Sequence, residues 1–263
     1  MNEIASLLSP GRIVVFVLVL ARIVGLTILA PLFGSRMVPA RVRIALVVFL
    51  AVAMLPTVAA AGAVTPRLTS TLALVLALAA ETAIGLLLGL IAQFVFGAVQ
   101  MAGELAGMQM GLGLASLIDP QSHDRVVVLA QWQSALALLL FLAVDGHHML
   151  IQAVAESFRH VPAGAAALTS AGIGMTVVFA GGIFLLALKL AAPVLILVLL
   201  VNACLGALGK LVPQLNVMVV GFPINVAAGF FILAAAQPFA VRVLEDAFAN
   251  IGRSLGAVID VLA

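Results

Sequence analysis

Residues 82–121 read TAIGLLLGLIAQFVFGAVQMAGELAGMQMGLGLASLIDPQ. Apolar residues run on without the alternation a half-buried strand needs, and far past the length of a strand. The stretch therefore predicts helix, and helix in an environment without water. Its glycines are the anomaly. Gly85 and Gly89 stand four apart, Gly97 follows, and Gly103, Gly107 and Gly111 recur every fourth residue. Each glycine costs a helix about 1 kcal/mol against alanine. Small residues at this spacing let helices approach backbone to backbone, so close packing is expected. Gly113 and then Asp119-Pro120 end the run.

The rest of the chain shares this character. Its 263 residues are 65% hydrophobic and only 8% charged, with a mean hydropathy of +1.34. Soluble domains carry about 25% charged residues, so a solvated surface cannot be built from this stock. The net charge of +2 includes no basic cluster for nucleic acid. The one cysteine, Cys204, excludes an internal disulfide framework and a thiolate-rich zinc site, and its apolar neighbours predict a buried, inert thiol. The N-terminus lacks the pattern of a cleaved signal, so residues 13–32 are expected to stay.

Segments 13–32, 44–64, 68–80 with 82–103, 126–144, 161–188 with 190–209, and 211–241 are long enough to cross a bilayer, which takes ~20 residues. The fold class expected is an all-α membrane-associated protein of about six long hydrophobic helices arranged as hairpins. A short charged tail, with Arg242, Glu245, Asp246, Arg253 and Asp260, closes the chain. Arg36, Arg41 and Arg43 place the first connection in the cytoplasm by the positive-inside rule, and Lys210 marks a second such turn. Between Ser157 and Leu244 there is no acidic residue. This shift near residue 161 divides the chain into a bundle, 1–161, and a second part, 162–263. The second part holds a hairpin of 172–208 and 217–241 turning at GKLVPQLN.

Catalytic chemistry is not evident. CLGALGKL at 204–211 has Cys204 and Leu211 where a phosphate-binding loop needs Gly and Ser or Thr. His147 and His148 follow Asp145-Gly146, but adjacent helical side chains point about 100° apart, and the reading is a polar turn at a helix end with no metal. No cofactor is expected. Arg22, Glu81, Glu104 and Lys189 lie within apolar runs, where a charge facing lipid is expensive. They are read as buried structural charges rather than a proton relay.

Four stretches carry a family likeness. They are RIVGLTILAPLFGSRMVPARVRIAL at 22–46, AGELAGMQMGLGLASLIDPQS at 102–122, FLAVDGHHMLIQAVAESFRHVPAG at 141–164, and NACLGALGKLVPQLNVMVVGFPINVAAGF at 202–230. In this order they resemble the FliR family, membrane proteins of the flagellar type III export gate. The resemblance implies a non-enzymatic subunit that forms, with FliP and FliQ, a channel for unfolded flagellar proteins, in the flagellar basal body of the bacterial inner membrane. FlhB would sit against it, with FlhA nearby. It implies a FliP-like bundle followed by a FliQ-like hairpin, in an assembly raised from the bilayer plane. It also implies that Gly107, Met108, Gln109, Met110, Gly111, Leu112, Gly113, Leu114, Ala115 and Ser116 form a loop that plugs the pore. The turn Gly209, Lys210, Leu211, Val212, Pro213, Gln214, Leu215 and Asn216 is the candidate FlhB contact. The equivalent subunit of a virulence injectisome, the SctT family, is the alternative, followed by a small secondary transporter.

Overall fold

A computed structural model describes residues 10–31, 38–60, 70–112, 128–165, 170–212, 214 and 216–262. Among these residues every regular element is helical: α1 (Pro10–Leu29), α2 (Ala40–Ala60), α3 (Thr71–Gln109), α4 (Val128–Ala143), α5 (Gly146–His160), α6 (Ser170–Leu211), α7 (Val217–Ala235) and α8 (Gln237–Leu262). Four of them, α1, α2, α3 and α6, are long and apolar enough to cross a membrane. Up to six spans result if the broken pairs α4–α5 and α7–α8 each count as one. The chain is an all-α, multi-pass membrane protein.

Two of these helices follow the long joined apolar stretches 68–103 and 161–209. α3 has 39 residues and α6 has 42, so at 1.5 Å per residue they extend roughly 58 and 63 Å, about twice the hydrocarbon thickness. Neither Glu81 in α3 nor Lys189 and Pro193 in α6 interrupts them. Two compact units emerge, interleaved in sequence: residues 1–94, 144–180 and 248–263 in one, 95–143 and 181–247 in the other. Compactness thus divides the chain differently from the composition shift at residue 161, because α3, α6 and α8 each lend residues to both units.

The first unit is organised by a crossing of α1 and α3. A Cβ on Gly25 would strike the Thr82 carbonyl oxygen and come within 2.9 Å of the Leu86 amide nitrogen. One on Gly85 would strike the Arg22 carbonyl, and one on Gly89 would lie 2.7 Å from the Leu26 carbonyl. The backbones touch because glycine stands at all three positions. Leu18, Ile23, Leu26, Ile84 and Leu88 are fully buried in the same unit.

The last helix corrects the expectation of a charged tail. In α8, Phe248, Ile251, Leu255, Val258, Ile259 and Leu262 are buried. They recur every three or four residues, which is the stripe of a helix packed on one face. Arg253 and Asp260 are exposed between them, and His160 Nε2 of α5 lies 3.6 Å from Asp260 Oδ1.

In the second unit, Ala98 and Ala102 of α3 meet Ala187 and Ala191 of α6, a contact made close by methyl-sized side chains. Phe96 and Phe141 pack edge to face, with centroids 5.6 Å apart. α6 and α7 form an antiparallel hairpin. Gly209 lies against Val217, Leu205 against Gly221, and Asn225 Nδ2 donates to Asn202 Oδ1 at 2.8 Å, the partners stepping down α6 as they step up α7. The hairpin expected over 172–208 and 217–241 is present, but its second arm stops at Ala235, where the chain bends by 57° into α8. Cys204 is exposed, not buried. It stands on a face of α6 that the chain itself leaves uncovered, alongside Leu199, Leu200 and Leu208.

The α1–α3 crossing predicts a contrast between two glycines of one helix. Gly85→Ala should destabilise the full chain in detergent by about 1–3 kcal/mol or more, through overpacking against backbone. Gly97→Ala, whose added Cβ meets nothing within 4 Å, should be neutral or stabilising by up to ~1 kcal/mol. Unfolding by SDS titration in mixed micelles measures both. Equal effects at the two sites would contradict the crossing.

Candidate functional site: a buried ion pair and a glycine-capped helix end

Arg22 lies within α1 and Glu81 in the first third of α3, and both side chains are fully buried. Nε of Arg22 donates to Glu81 Oε2 at 2.6 Å. Its Nη1 donates to Ser157 Oγ at 2.9 Å and its Nη2 to the Val161 carbonyl at 3.0 Å. The second carboxylate oxygen of Glu81 accepts the Gly164 amide at 2.8 Å. The Phe158 ring lies 3.9 Å beneath the guanidinium carbon, a cation–π contact. Ser157 in turn donates to the Val154 carbonyl at 2.7 Å.

This network ties four segments at one point: α1, α3, the end of α5 and the turn at 161–165. The turn is shaped for it. Gly164 has φ 87°, a left-handed conformation that costs glycine little, and Ala165 N donates to the Pro162 carbonyl at 3.0 Å. Neither charge faces lipid, and each polar partner sees the other. A buried pair of this kind adds modest net stability, but removing one member strands the other.

The other charges singled out from sequence do not take part. Glu104 is half-buried and accepts from Gln100 Nε2, one turn back on α3, at 3.0 Å. Lys189 is exposed on α6, which corrects its reading as a buried charge. Its run is apolar on all sides, so hydropathy alone could not tell which face the chain covers.

The glycine-rich segment begins inside a helix. Gly107, Met108 and Gln109 are the last residues of α3, so the first three residues of the expected plug loop are helical. Gly111 ends the helix at φ 86°. Its amide donates to the Met108 carbonyl at 3.0 Å and the Leu112 amide to the Gly107 carbonyl at 2.9 Å. This pair of bonds is the Schellman termination, which requires a left-handed residue and favours glycine there. The side chains on either side of the cap diverge. Met108 is 63% exposed. Met110 is wholly buried with Ala106, Leu129, Val194, Val198 and Leu233, and it lies across Gly229, where a Cβ would meet its Sδ at 2.6 Å. Gly103 serves close contact instead: a Cβ there would fall 2.9 Å from Ala130 Cβ of α4. Gly113, Leu114, Ala115 and Ser116 lie outside the described residues.

At the other proposed contact, Gly209, Lys210 and Leu211 close α6, and Val212 comes next with its amide on the Leu208 carbonyl at 2.8 Å. Gln214 is exposed, and Asn216 caps α7 by accepting the Val219 amide at 3.3 Å. Pro213 and Leu215 fall outside the described residues.

Comparison with known proteins adds a family. The sequence model of the bacterial export proteins, family 1, matches residues 13–251. The chain is 38% identical over 244 residues to the flagellar biosynthetic protein FliR of Escherichia coli (strain K12), covering 92% of each. It is 34% identical over 251 residues to FliR of Bacillus subtilis (strain 168), covering 94% of this chain and 93% of that protein. With FliR of Caulobacter vibrioides it shares 28% identity over 238 residues, 90% of this chain and 94% of that protein.

The ion pair predicts strong non-additivity. Arg22→Met or Glu81→Leu alone should cost the full chain about 3–5 kcal/mol, by stranding a buried charge. The double variant should cost less than the worse single one. A double-mutant cycle by SDS titration measures the coupling, and additive effects would mean that the two groups are not paired.

Proposed function

The chain belongs to the FliR family of bacterial export proteins, and on that premise we propose that it is a non-enzymatic core subunit of the flagellar type III export gate, in the bacterial inner membrane. With FliP and FliQ it forms the channel through which unfolded flagellar proteins leave the cell, and FlhB packs against it. The observation that carries this reading is the apolar surface the chain leaves uncovered. On α6 and α7, Phe184, Leu188, Leu199, Val219, Phe222 and Phe231 are all exposed. Apolar exposure on this scale needs lipid or other apolar chains to cover it. In this reading, residues 1–161 form the FliP-like part and 162–263 the FliQ-like hairpin, each offering faces to a homologous neighbour. The flagellar pathway is favoured over the virulence one because the relatives in Escherichia coli, Bacillus subtilis and Caulobacter vibrioides are flagellar biosynthetic proteins.

A closed export gate must exclude water and ions yet yield to chains of varied sequence. A polar site would hold some substrates too tightly. The segment Gly107–Ser116 supplies only small or soft groups apart from Gln109 and the hydroxyl of Ser116. Support for a plug comes from the way α3 ends. Its Schellman cap at Gly111 places a defined stop on a rigid helix, and Met110 anchors the cap in a core of Ala106, Leu129, Val194, Val198 and Leu233. In this reading the plug moves while α3 stays wound. Methionine suits the boundary because its flexible thioether repacks against changing neighbours.

Deletion of 113–116, beyond the cap, in the assembled gate should leave the complex intact but make the membrane leak ions, read as loss of potential in cells or as conductance in proteoliposomes. A tight membrane with an intact complex would refute the plug. Photo-cross-linking from Lys210 or Gln214 should capture FlhB in intact complexes. Consistent failure there, with capture from other positions, would remove this turn as the contact.

A further inference from the structure

The break between α4 and α5 gathers three metal-binding side chains. Asp145 takes a left-handed conformation, φ 56° and ψ 29°, the one non-glycine residue among those described with positive φ. It stands at the N-cap of α5, where an aspartate usually accepts an amide of the first turn, but its carboxylate makes no such bond. Oδ1 instead lies 3.3 Å from His148 Nδ1. The rings of His147 and His148 are 4.2 Å apart and inclined by 34°, so the two adjacent histidines converge, against the divergence expected from helical geometry. One ring nitrogen of each histidine and a carboxylate oxygen of Asp145 fall within 4.8 Å of one another. His147 Nδ1 is buried and has no hydrogen-bond partner.

We propose that Asp145, His147 and His148 form a binding site for one divalent transition-metal ion of the zinc type. Two imidazoles and a carboxylate suit Zn²⁺, Co²⁺, Ni²⁺ or Cu²⁺, and suit Ca²⁺ or Mg²⁺ poorly, since those ions prefer oxygen. With metal–ligand bonds of about 2.0–2.1 Å, adjacent donors in a tetrahedral site stand roughly 3.3–3.4 Å apart. The Asp145–His148 pair already has that spacing. Rotation of the His147 side chain closes the other two edges, which already lie within 4.8 Å. The ion accounts for two otherwise unexplained features, the carboxylate that does not cap and the strained backbone that aims it at the rings. It acts as a clip at the start of α5, the helix whose far end carries Ser157 and Phe158 of the ion-pair network. The Asp145 and His148 side chains are 70% and 62% exposed, so the remaining coordination positions face outward, open to water or to a ligand from a neighbouring subunit.

The test uses the full chain in detergent, purified with a tag free of histidine and stripped with a chelator. Zn²⁺ competition against a chromophoric chelator should show one equivalent bound, and Co²⁺ should give a visible d–d spectrum of nitrogen and oxygen ligation. His147→Ala and His148→Ala should each weaken binding at least 100-fold, and Asp145→Asn about 10–100-fold. Replacing the other two histidines, with His123→Ala and His160→Ala together, should change nothing. Zn²⁺ should raise the thermal aggregation midpoint of the parent chain and leave that of the His147→Ala/His148→Ala chain unmoved, while the metal-free midpoints agree, which separates lost binding from lost folding. No stoichiometric binding by the parent chain, or equal binding by the double variant, would overturn the site.

Discussion

The buried contact between Arg22 and Glu81 is the constraint around which one half of the molecule is arranged. Two charges sit where the chain is almost wholly apolar, and each is tolerable only if the other is within bonding distance. Glycines make that distance possible. Arg22 and Gly25 are three residues apart on α1, and Glu81, Gly85 and Gly89 are spaced by four on α3, so each charge shares a helix face with the glycines beside it. Where Gly25 and Gly85 let the backbones touch, the side chains one turn away meet. Ser157, the Val161 carbonyl and the Gly164 amide then satisfy what the pair leaves over. In lipid, apolar burial does not select one helix partner over another, because tails are as apolar as leucine. A buried ion pair and a glycine stripe do select, and here both choose the same crossing.

The second half uses glycine and alanine for different ends. Ala98, Ala102, Ala187 and Ala191 allow a close approach that keeps helix propensity high. Gly103 provides the same against α4, and Gly111 reverses the backbone to stop α3. The regular spacing of Gly103, Gly107 and Gly111 thus conceals distinct roles: close contact at the first, and at the last a left-handed turn that lets the Leu112 amide reach the carbonyl of the second.

Several of these features are legible in the sequence, and the reasons for the exceptions are physical. The all-helical class follows from composition and from the cost of unpaired backbone groups in lipid. The close approach at Gly85 and Gly89 follows from spacing. The pairing of Arg22 with Glu81 spans 59 positions, and no local pattern connects them. α8 was obscured because five charged residues make it look like a solvated tail, although Phe248, Ile251, Leu255 and Leu262 carry the helical period in plain sight. The exposure of Cys204 and Lys189 could not be read, since a helix apolar all round gives no sign of which face is covered. The convergence of His147 and His148 is not given by helical spacing, and the left-handed Asp145 beside them is a backbone state that Asp-Gly makes accessible but does not dictate.

In the proposed gate, a fixed glycine crossing in α1 and α3 is joined to a displaceable segment at the end of α3. Hydrogen–deuterium exchange on the chain within its purified export complex compares the two directly. Amides of 18–29 and 81–92 should exchange together and slowly, and those of 112–116 should exchange orders of magnitude faster. Protection at 112–116 equal to that at 81–92 would contradict a plug that yields to passing chains.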